Sequence, residues 1–361
     1  MNMKTILKSS VAAAALMAVA APTMAANNME TGQSKVKLKM YGQVTKQVLW
    51  ADDGQNSRTF ITDSEASSTR LGFVATAPVN ADFDFGANFE FEWKSNAPGN
   101  GGVSIHNGNF GANSSVNPDN NGVNQTTFTE RLAEVTMTHK RFGKVSLGQG
   151  VMASDGSSEA NLSGATLASG TIFASQMGAT RLYDSRARAY TASSTYGQVF
   201  AVNDPGGRDD RIKYDTPRFM GVALAAGFAS GGKGDVGATY QNTLGAFKID
   251  ARVGYHNQSS MNSTIEDDLA GSIAVLHTSG LNAHFVATDR NFKDVTTGTT
   301  AKYKDAENIG GGIGYIAKIF GVGPTSFAVD YYRAEGFERT ATTTTGKYEA
   351  DSWGLGVQQD F

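Results

Sequence analysis

The sequence has 361 residues, of which 34 are acidic and 31 are basic, which gives a formal net charge of −3, and it contains no cysteine. A chain with this charge balance offers no strongly basic face to phosphates, so we expect no nucleic acid partner. Without cysteine the fold cannot use disulfides or thiolate metal ligands, and it must depend on packing and hydrogen bonds.

The first 25 residues have the pattern of a secretory signal peptide. Lys4 and Lys8 precede an apolar run, and small residues end the segment at Ala25. The run is about half the roughly 20 residues that a membrane-spanning helix needs. We predict export with cleavage after Ala25, or alternatively after Ala26, so that residues 26–361 form one domain. A buried core helix is the other interpretation of this run.

Alternation of polar and apolar residues predicts the first strands of the mature chain. In 81–93 one side is almost entirely aromatic and the other side carries carboxylates. A period of two places these two sets on opposite faces of a β-strand. Similar patterns predict strands at 36–50, 69–79, 130–139 and 144–150.

The segment 151–208 is the longest without clear alternation, and beyond it the alternation returns. The further predicted strands are 210–216, 221–230, 235–244, 246–257, 269–278, 281–290, 308–318, 325–336 and 348–361. This gives 14 strands counted directly. A weak pair at 187–193 and 196–202 would make the number 16.

Long polar connections alternate with short turns along almost the whole chain. Successive strands therefore run up and down between one end of tight turns and one end of long loops, as in outer-membrane barrels. An outward Lys or Arg at mid-depth of a bilayer costs about 2–4 kcal/mol, so the charged strand faces should point into a wet interior. We predict an all-β, transmembrane, antiparallel up-and-down barrel. A soluble exported protein is the alternative, but it has no reason to keep this alternation.

Several short motifs, taken in order, resemble those of the general diffusion porins of Gram-negative outer membranes. They are MYGQV, TRLGF, ERLAEVTM, VSLGQG, DRIKYDTPRFMGVALAAGF and the terminal Phe361. The resemblance covers essentially all of the mature sequence. It implies a barrel of 16 strands in outer-membrane lipid, usually a homotrimer, through which small hydrophilic solutes and ions diffuse. The family usually has Tyr two residues before the final Phe, where this chain has Gln359.

In the family that the chain resembles, the third loop folds into the lumen and presents carboxylates to arginines of the wall. The segment 151–208 is similar in place to that loop, so the resemblance implies an inward-folded constriction loop there. It also matches Arg70 and Arg131 to wall arginines and Glu90 to an acidic wall position. The segment lacks the Pro-Glu-Phe-Gly-Gly pattern of the family, so its carboxylates are not assigned by motif.

The residues themselves leave two interpretations for each of these positions. Arg70 lies on the inward side of its strand, either at the constriction or tied to its strand neighbours, and Glu90 is either a constriction residue or an ordinary lumen charge. If Arg131 points inward, strict alternation puts Glu134 on the lipid side, unless a subunit interface covers it. Further acidic candidates are Asp155, Glu159 and Asp184, with simple solvation as the alternative. The basic candidates Arg186, Arg188, Arg208, Arg211 and Lys213 either line the narrow section or pin the loop.

The few motifs that resemble those of enzymes or of cofactor and metal sites lie in sequence contexts that do not support such a site. SGGK at 230–233 has the spacing of penicillin-interacting enzymes but lies in a glycine-rich link, and the five histidines show no metal-ligand spacing. We therefore expect no enzyme activity, no cofactor and no metal site. The sequence predicts an outer-membrane channel for passive diffusion. The alternatives are a porin that prefers a sugar or an anion and, from another class, a non-conducting adhesion or structural barrel.

Overall fold

The computed structural model describes residues 17–20, 28–30, 36–52, 57–64, 67–94, 127–170, 181–184, 189–195, 204–258, 265–293, 306–321, 323–337 and 347–360. The strands within these residues are β1 (Met17–Ala20), β2 (Asn28–Glu30), β3 (Lys37–Gln43), β4 (Thr45–Asp52), β5 (Ser57–Asp63), β6 (Thr69–Pro78), β7 (Phe83–Lys94), β8 (Thr127–His139), β9 (Gly143–Val151), β10 (Arg181–Asp184), β11 (Ala189–Thr195), β12 (Arg208–Asp215), β13 (Val222–Ala229), β14 (Lys233–Leu244), β15 (Phe247–Asn257), β16 (Ile265–His277), β17 (Leu281–Phe292), β18 (Ala306–Phe320), β19 (Gly323–Phe337) and β20 (Lys347–Gln359). None of the described residues belongs to a helix that is long and apolar enough to cross a membrane.

One antiparallel sheet contains most of these strands. Its order is β2, β3, β6, β7, β8, β9 and then β12 to β20 in sequence, which makes 15 strands within the described residues. The 14 strands predicted from alternation are all present, and the three-residue β2 adds a further strand beside β3. In lipid such a sheet must close on itself because nothing there satisfies the backbone groups of an edge. The fold is an all-β, up-and-down transmembrane barrel, as predicted.

The segment 151–208 does contain a hairpin, but it does not extend the main sheet. β10 pairs with β11, whereas β9 pairs directly with β12. The strand predicted at 187–193 corresponds to β11, whose partner is β10, and the strand predicted at 196–202 lies outside the described residues. Within the described residues this pair therefore does not bring the main sheet to 16 strands.

The first predicted strand leaves the main sheet halfway along. β4 continues the line of β3 but pairs with β5, a strand within a segment that sequence analysis took as a polar connection. β1 pairs with the other side of β4. Because β1 lies inside the predicted signal peptide, the mature protein is expected to lack it.

The two faces of the sheet have opposite character. The apolar side chains of the strands are exposed, such as Leu147 at 57%, Phe285 at 52% and Leu355 at 61%. The polar side chains of the other face are buried, and both Asp268 and Asp330 are 0% exposed. An apolar exterior around a polar interior is the pattern of a barrel that crosses a membrane.

A bulge changes the alternation in β8. The register pairs Glu90 with Leu132 but Phe91 with Glu130, so Arg131 is an extra residue between them. A β-bulge of this kind places two residues opposite one and shifts the alternation beyond it. Glu134 consequently points inward and is only 8% exposed. The expectation that an inward Arg131 would place Glu134 against lipid is therefore wrong.

The beginning of the long loop lies against the inner face of the sheet. Residues 152–170 follow β9 and contact strands far along the chain. The N–H of Ala160 donates to Ser272 Oγ on β16 at 2.9 Å, and Ser169 Oγ donates to Asp330 Oδ1 on β19 at 3.1 Å. This part of the segment 151–208 is folded inward.

Candidate pore constriction

Four strands of the wall bring an ion-pair cluster together around Glu90. Arg131 donates from Nε to Glu90 Oε1 and from Nη1 to Glu92 Oε2, both at 2.7 Å. Tyr41 donates its hydroxyl to Glu90 Oε2 at 2.8 Å, and Arg70 Nη1 lies 3.7 Å from Glu90 Oε1. We call these five residues the wall cluster. Its two arginines and two glutamates balance in formal charge.

The strand register explains why Tyr41 reaches Glu90. Tyr41 on β3, Gly72 on β6 and Glu90 on β7 lie in one cross-strand row. A Cβ added to Gly72 would overlap the ring of Tyr41. The glycine of the TRLGF motif therefore leaves room for the tyrosine of the MYGQV motif to cross the middle strand, which is a common use of glycine within a sheet.

Arg70 is only partly held by the wall. Its Nε donates to the backbone oxygen of Ser68 at 3.2 Å and its Nη2 donates to Ser67 Oγ at 3.3 Å. Its side chain keeps 22% exposure and faces inward, as predicted. Arg70 is thus tied to neighbouring residues and keeps partial exposure to the interior, and its place at the constriction stays a prediction.

Arg211 has a different position from the other basic candidates. Its side chain is 1% exposed and forms an ion pair with Glu134, whose side chain is 7% exposed. It also donates to the backbone oxygens of Val151 and Gly148, each at 3.0 Å. Arg211 therefore fixes the end of β9, where the chain leaves the wall, and it does not line an open passage.

Three loop carboxylates, Asp155, Glu159 and Asp204, form a second group. Asp204 accepts hydrogen bonds from the N–H of Gly156 at 2.6 Å and from Ser158 Oγ at 2.9 Å. Burial, together with the nearby charge of Asp204, raises the pKa of Asp155 to about 7. The same two causes raise the pKa of Glu159, and burial raises that of Asp204. The loop carboxylates therefore carry less negative charge near neutral pH than their number suggests.

Basic residues of the wall lie within electrostatic range of these loop carboxylates. Arg208 and Lys213 act on Asp155, and Arg252 acts on Glu159. Arg252 Nη1 also donates to the backbone oxygen of the loop at Gly156, at 3.1 Å. Arg208 also lies within electrostatic range of Arg70 of the wall cluster, which it repels. The wall cluster and the loop carboxylates consequently belong to one charged region of the interior.

We use the name loop neck for residues 152–158 and 204–207, which begin and end the long loop. Asp235 on β14 accepts hydrogen bonds from the N–H of Ser154 at 2.6 Å and from its Oγ at 2.8 Å. On β15, His256 Nδ1 accepts an N–H from the second part of the neck at 3.1 Å. These inward-facing groups fix both ends of the loop to adjacent strands of the wall.

Most residues of this charged region, but not all of them, are predictable from the sequence. Asp204 was missed, although the Pro-Gly-Gly that follows it marks a turn just before β12. Arg252 lies on the charged face of its predicted strand, which alternation directs inward, but it is not among the candidates named from the sequence. The side chain of Asp184 and the whole of Arg188 lie outside the described residues. Within the part of the chain that the structure describes, no three His, Asp or Glu side chains are grouped to hold a metal ion.

Comparisons with known proteins identify relatives of this chain. A family model described as Gram-negative porin matches residues 12–361. No curated protein matches the sequence. The solved structures to which the chain is similar include OmpF of Salmonella typhi in complex with daunomycin, with 14% identity over 90% of this chain and 87% of that chain and a TM-score of 0.49.

Two further similar structures are the outer membrane channel DcaP of Acinetobacter baumannii and the anion-selective porin from Comamonas acidovorans. DcaP has 11% identity over 91% of this chain and 98% of that chain, with a TM-score of 0.47. The Comamonas porin has 14% identity over 89% of this chain and 97% of that chain, with a TM-score of 0.43. Because these sequence identities and TM-scores are low, the family assignment depends on the family model that matches residues 12–361.

Proposed function

Because the chain belongs to the Gram-negative porin family and is thus an outer-membrane channel, we propose that small hydrophilic solutes and ions diffuse passively through its barrel and that it has no enzyme activity. The observation that carries this proposal is the buried polar inner face beneath an exposed apolar outer face. Some charged side chains of the inner face keep partial exposure, such as Arg70 at 22% and Arg252 at 25%, and they favour a water-filled lumen because an unsolvated charge is costly.

We propose that the passage is narrowest between the wall cluster and the loop carboxylates. Opposed charges across a narrow lumen of reduced dielectric orient water and dipolar solutes. The balance of charge at that section would set ion preference, whereas the net charge of the whole chain would matter little. Arg70, Arg131 and Arg208 supply the positive side. The loop carboxylates supply the negative side, with a strength that depends on pH.

An anion-preferring pore is the second candidate. Arg208, Lys213 and Arg252 all interact with the loop carboxylates, whose raised pKa values weaken the opposing negative charge. A positive surplus at the narrow section would favour anions by simple electrostatics. This candidate differs from the first in selectivity but not in mechanism.

We further propose that residues 1–25 are removed on export and that the mature chain forms a homotrimer in outer-membrane lipid. The large outward apolar surface supports lipid contact and subunit contact alike. The mass of the detergent-solubilised native protein, compared with that of the heated protein, tests the trimer. A monomeric mass without heating would contradict it.

Liposome swelling tests passive diffusion. Vesicles that contain the purified protein should swell in neutral sugars at rates that fall smoothly as sugar size rises. Gluconate and glucose, which are similar in size and differ in charge, then test the second candidate, which requires faster entry of gluconate. A rate that saturates with one sugar would indicate a binding site for that sugar. Absence of swelling would support the adhesion or structural alternative.

A further inference from the structure

The outward face of β12 to β16 carries a groove of about 420 Å³. Its floor includes Ala226 and Ala238, two small side chains on a face that is rich in large apolar residues. Larger side chains form its sides, namely Tyr214, Leu224, Val236, Val253, Tyr255 and Leu269. Each of these six is exposed by 38% or more. The groove therefore opens on the outer surface of the barrel.

The strand register explains the depression in the outer surface of the barrel wall at this place. Ala226 pairs with Val236, and Ala238 pairs with both Leu224 and Val253. Each alanine therefore has only large side chains beside it on the neighbouring strands, and the two alanines lie diagonally next to one another. Two short side chains among longer ones leave a depression between them.

The loop neck closes the inner side of the same part of the wall. A Cβ added to Gly237 would overlap the backbone oxygen of Ala153, and one added to Gly254 would overlap Ser157 Oγ. The inner surface is therefore in direct contact with protein at this level. The groove is a feature of the outer surface that is separated from the lumen.

The hydroxyl groups that line the groove already have partners. Tyr214 donates to the backbone oxygen of Phe142, and Tyr255 donates to Asp267 Oδ2 at 3.4 Å. Thr216 Oγ1 accepts a backbone N–H at 2.9 Å. The tyrosines consequently present their rings to the groove, and a polar ligand would gain little there.

We propose that this groove binds an acyl chain of a membrane lipid. The face on which it lies belongs to an outer-membrane protein, so hydrocarbon surrounds it. Water is disfavoured in an apolar space, and an empty groove loses contacts that a chain would supply. Five adjacent strands at about 4.8 Å spacing give the groove a length of about 19 Å. One leaflet of the hydrocarbon core is about 15 Å deep, so an acyl chain has a suitable length.

Retention of lipid by the mature protein tests this proposal. The protein is reconstituted in vesicles of palmitoyl-oleoyl phosphatidylethanolamine, extracted in detergent, washed and examined by native mass spectrometry. The double variant Ala226→Leu, Ala238→Leu fills the floor of the groove. Ala283→Leu makes the same kind of exchange once, on the outward face of β17 and away from the groove, and is the control.

We expect the wild-type protein and the Ala283→Leu control to retain about one phospholipid per chain, and the groove-filled variant to retain at least tenfold less. Equal retention by all three proteins would overturn the proposal, as would none in the wild type. A changed oligomeric state of the filled variant would make the groove an interface between copies and would overturn it too.

A measurement on the wild-type protein alone covers the case in which the double variant does not fold. A phosphatidylethanolamine with a photoreactive diazirine on its acyl chain should label peptides of β12 to β15 more strongly than peptides of β17. Uniform labelling around the barrel would contradict a specific groove. Neither readout depends on conductance, so failure here leaves the proposed channel function untouched.

Discussion

Replacing Arg131 with Gln changes the charge of the wall cluster by one unit while keeping a polar side chain at the bulge. In the native protein the guanidinium bridges Glu90 and Glu92 through two hydrogen bonds of 2.7 Å. The Gln variant leaves both carboxylates without this partner. The cluster then changes from two positive and two negative groups to one positive and two negative groups, a surplus of one negative charge.

The size of the effect on ions follows from Coulomb's law. A unit charge about 7 Å from a passing ion contributes about 0.6 kcal/mol in a water-like dielectric, which is close to RT. Screening at an ionic strength of about 0.1 M, where the Debye length is about 10 Å, halves this value. Cations gain and anions lose by this amount, so the cation-to-anion permeability ratio should rise about threefold.

The variant should also be less stable. The side chains of Arg131 and Glu90 are 14% and 7% exposed, and removing one partner of a buried pair costs about 3–5 kcal/mol. Because the cluster keeps some access to the lumen, we expect about 3 kcal/mol in the free energy of unfolding. Arg131→Lys is the matched control, since it keeps the charge but loses the two-pronged geometry.

Reversal potentials in a planar bilayer with a tenfold KCl gradient measure the permeability ratio. We expect Arg131→Gln to shift the potential toward cation preference and Arg131→Lys to stay close to the wild type while unfolding more easily. An unchanged potential in the Gln variant would remove Arg131 from the narrow section. An equal shift in both variants would attribute the effect to altered structure instead of charge.

Three further predictions concern the loop. Because the pKa of Asp155 is raised to about 7, a fall from about pH 8 to about pH 6 should neutralise it and lower the cation-to-anion permeability ratio. Asp155→Asn should reduce that change, whereas Glu159 and Asp204, whose pKa values are also raised, remain in place. Between its ordinary pKa and about pH 7, Asp155 holds a proton in the folded protein but not in the unfolded chain. The free energy of unfolding should therefore rise as the pH falls toward about 5, which thermal melts would show. Asp235→Ala removes a carboxylate that accepts two hydrogen bonds from the loop neck. Because the neck is then held less firmly, single-channel current noise should increase. Noise equal to that of the wild type would show that the neck is held without Asp235. Gly237→Ala should alter the conductance step because the new methyl group overlaps the neck, whereas Gly234→Ala, whose Cβ would be 3.8 Å from the nearest atom, should not.

The fold was predictable because the membrane constrains every second residue of each strand. On β15 the outward Val253 and Tyr255 alternate with inward Arg252 and His256, and the structure keeps this order. A charged side chain on the outward side would contact lipid and destabilise the barrel, so the inward positions are favoured for charged residues. The same rule identified the inward position of Arg70 and Glu90.

The site was less predictable because local rules do not describe bulges or contacts between distant segments. Alternation counted through Arg131 placed Glu134 on the wrong face, since a bulge leaves no clear mark in the sequence. The partners Ser154 and Asp235 are 81 residues apart, and nothing in a period of two joins them. Arg211 shares a strand face with Lys213, yet only the structure shows that its side chain is buried and hydrogen-bonded to the backbone at the end of β9.

Single-channel recording of the purified mature protein in a planar bilayer tests the water-filled lumen most directly. We predict discrete open steps whose conductance rises in proportion to the KCl concentration, and closures in threes if the protein is a trimer. A folded protein that inserts into the bilayer and gives no open steps would contradict an open lumen.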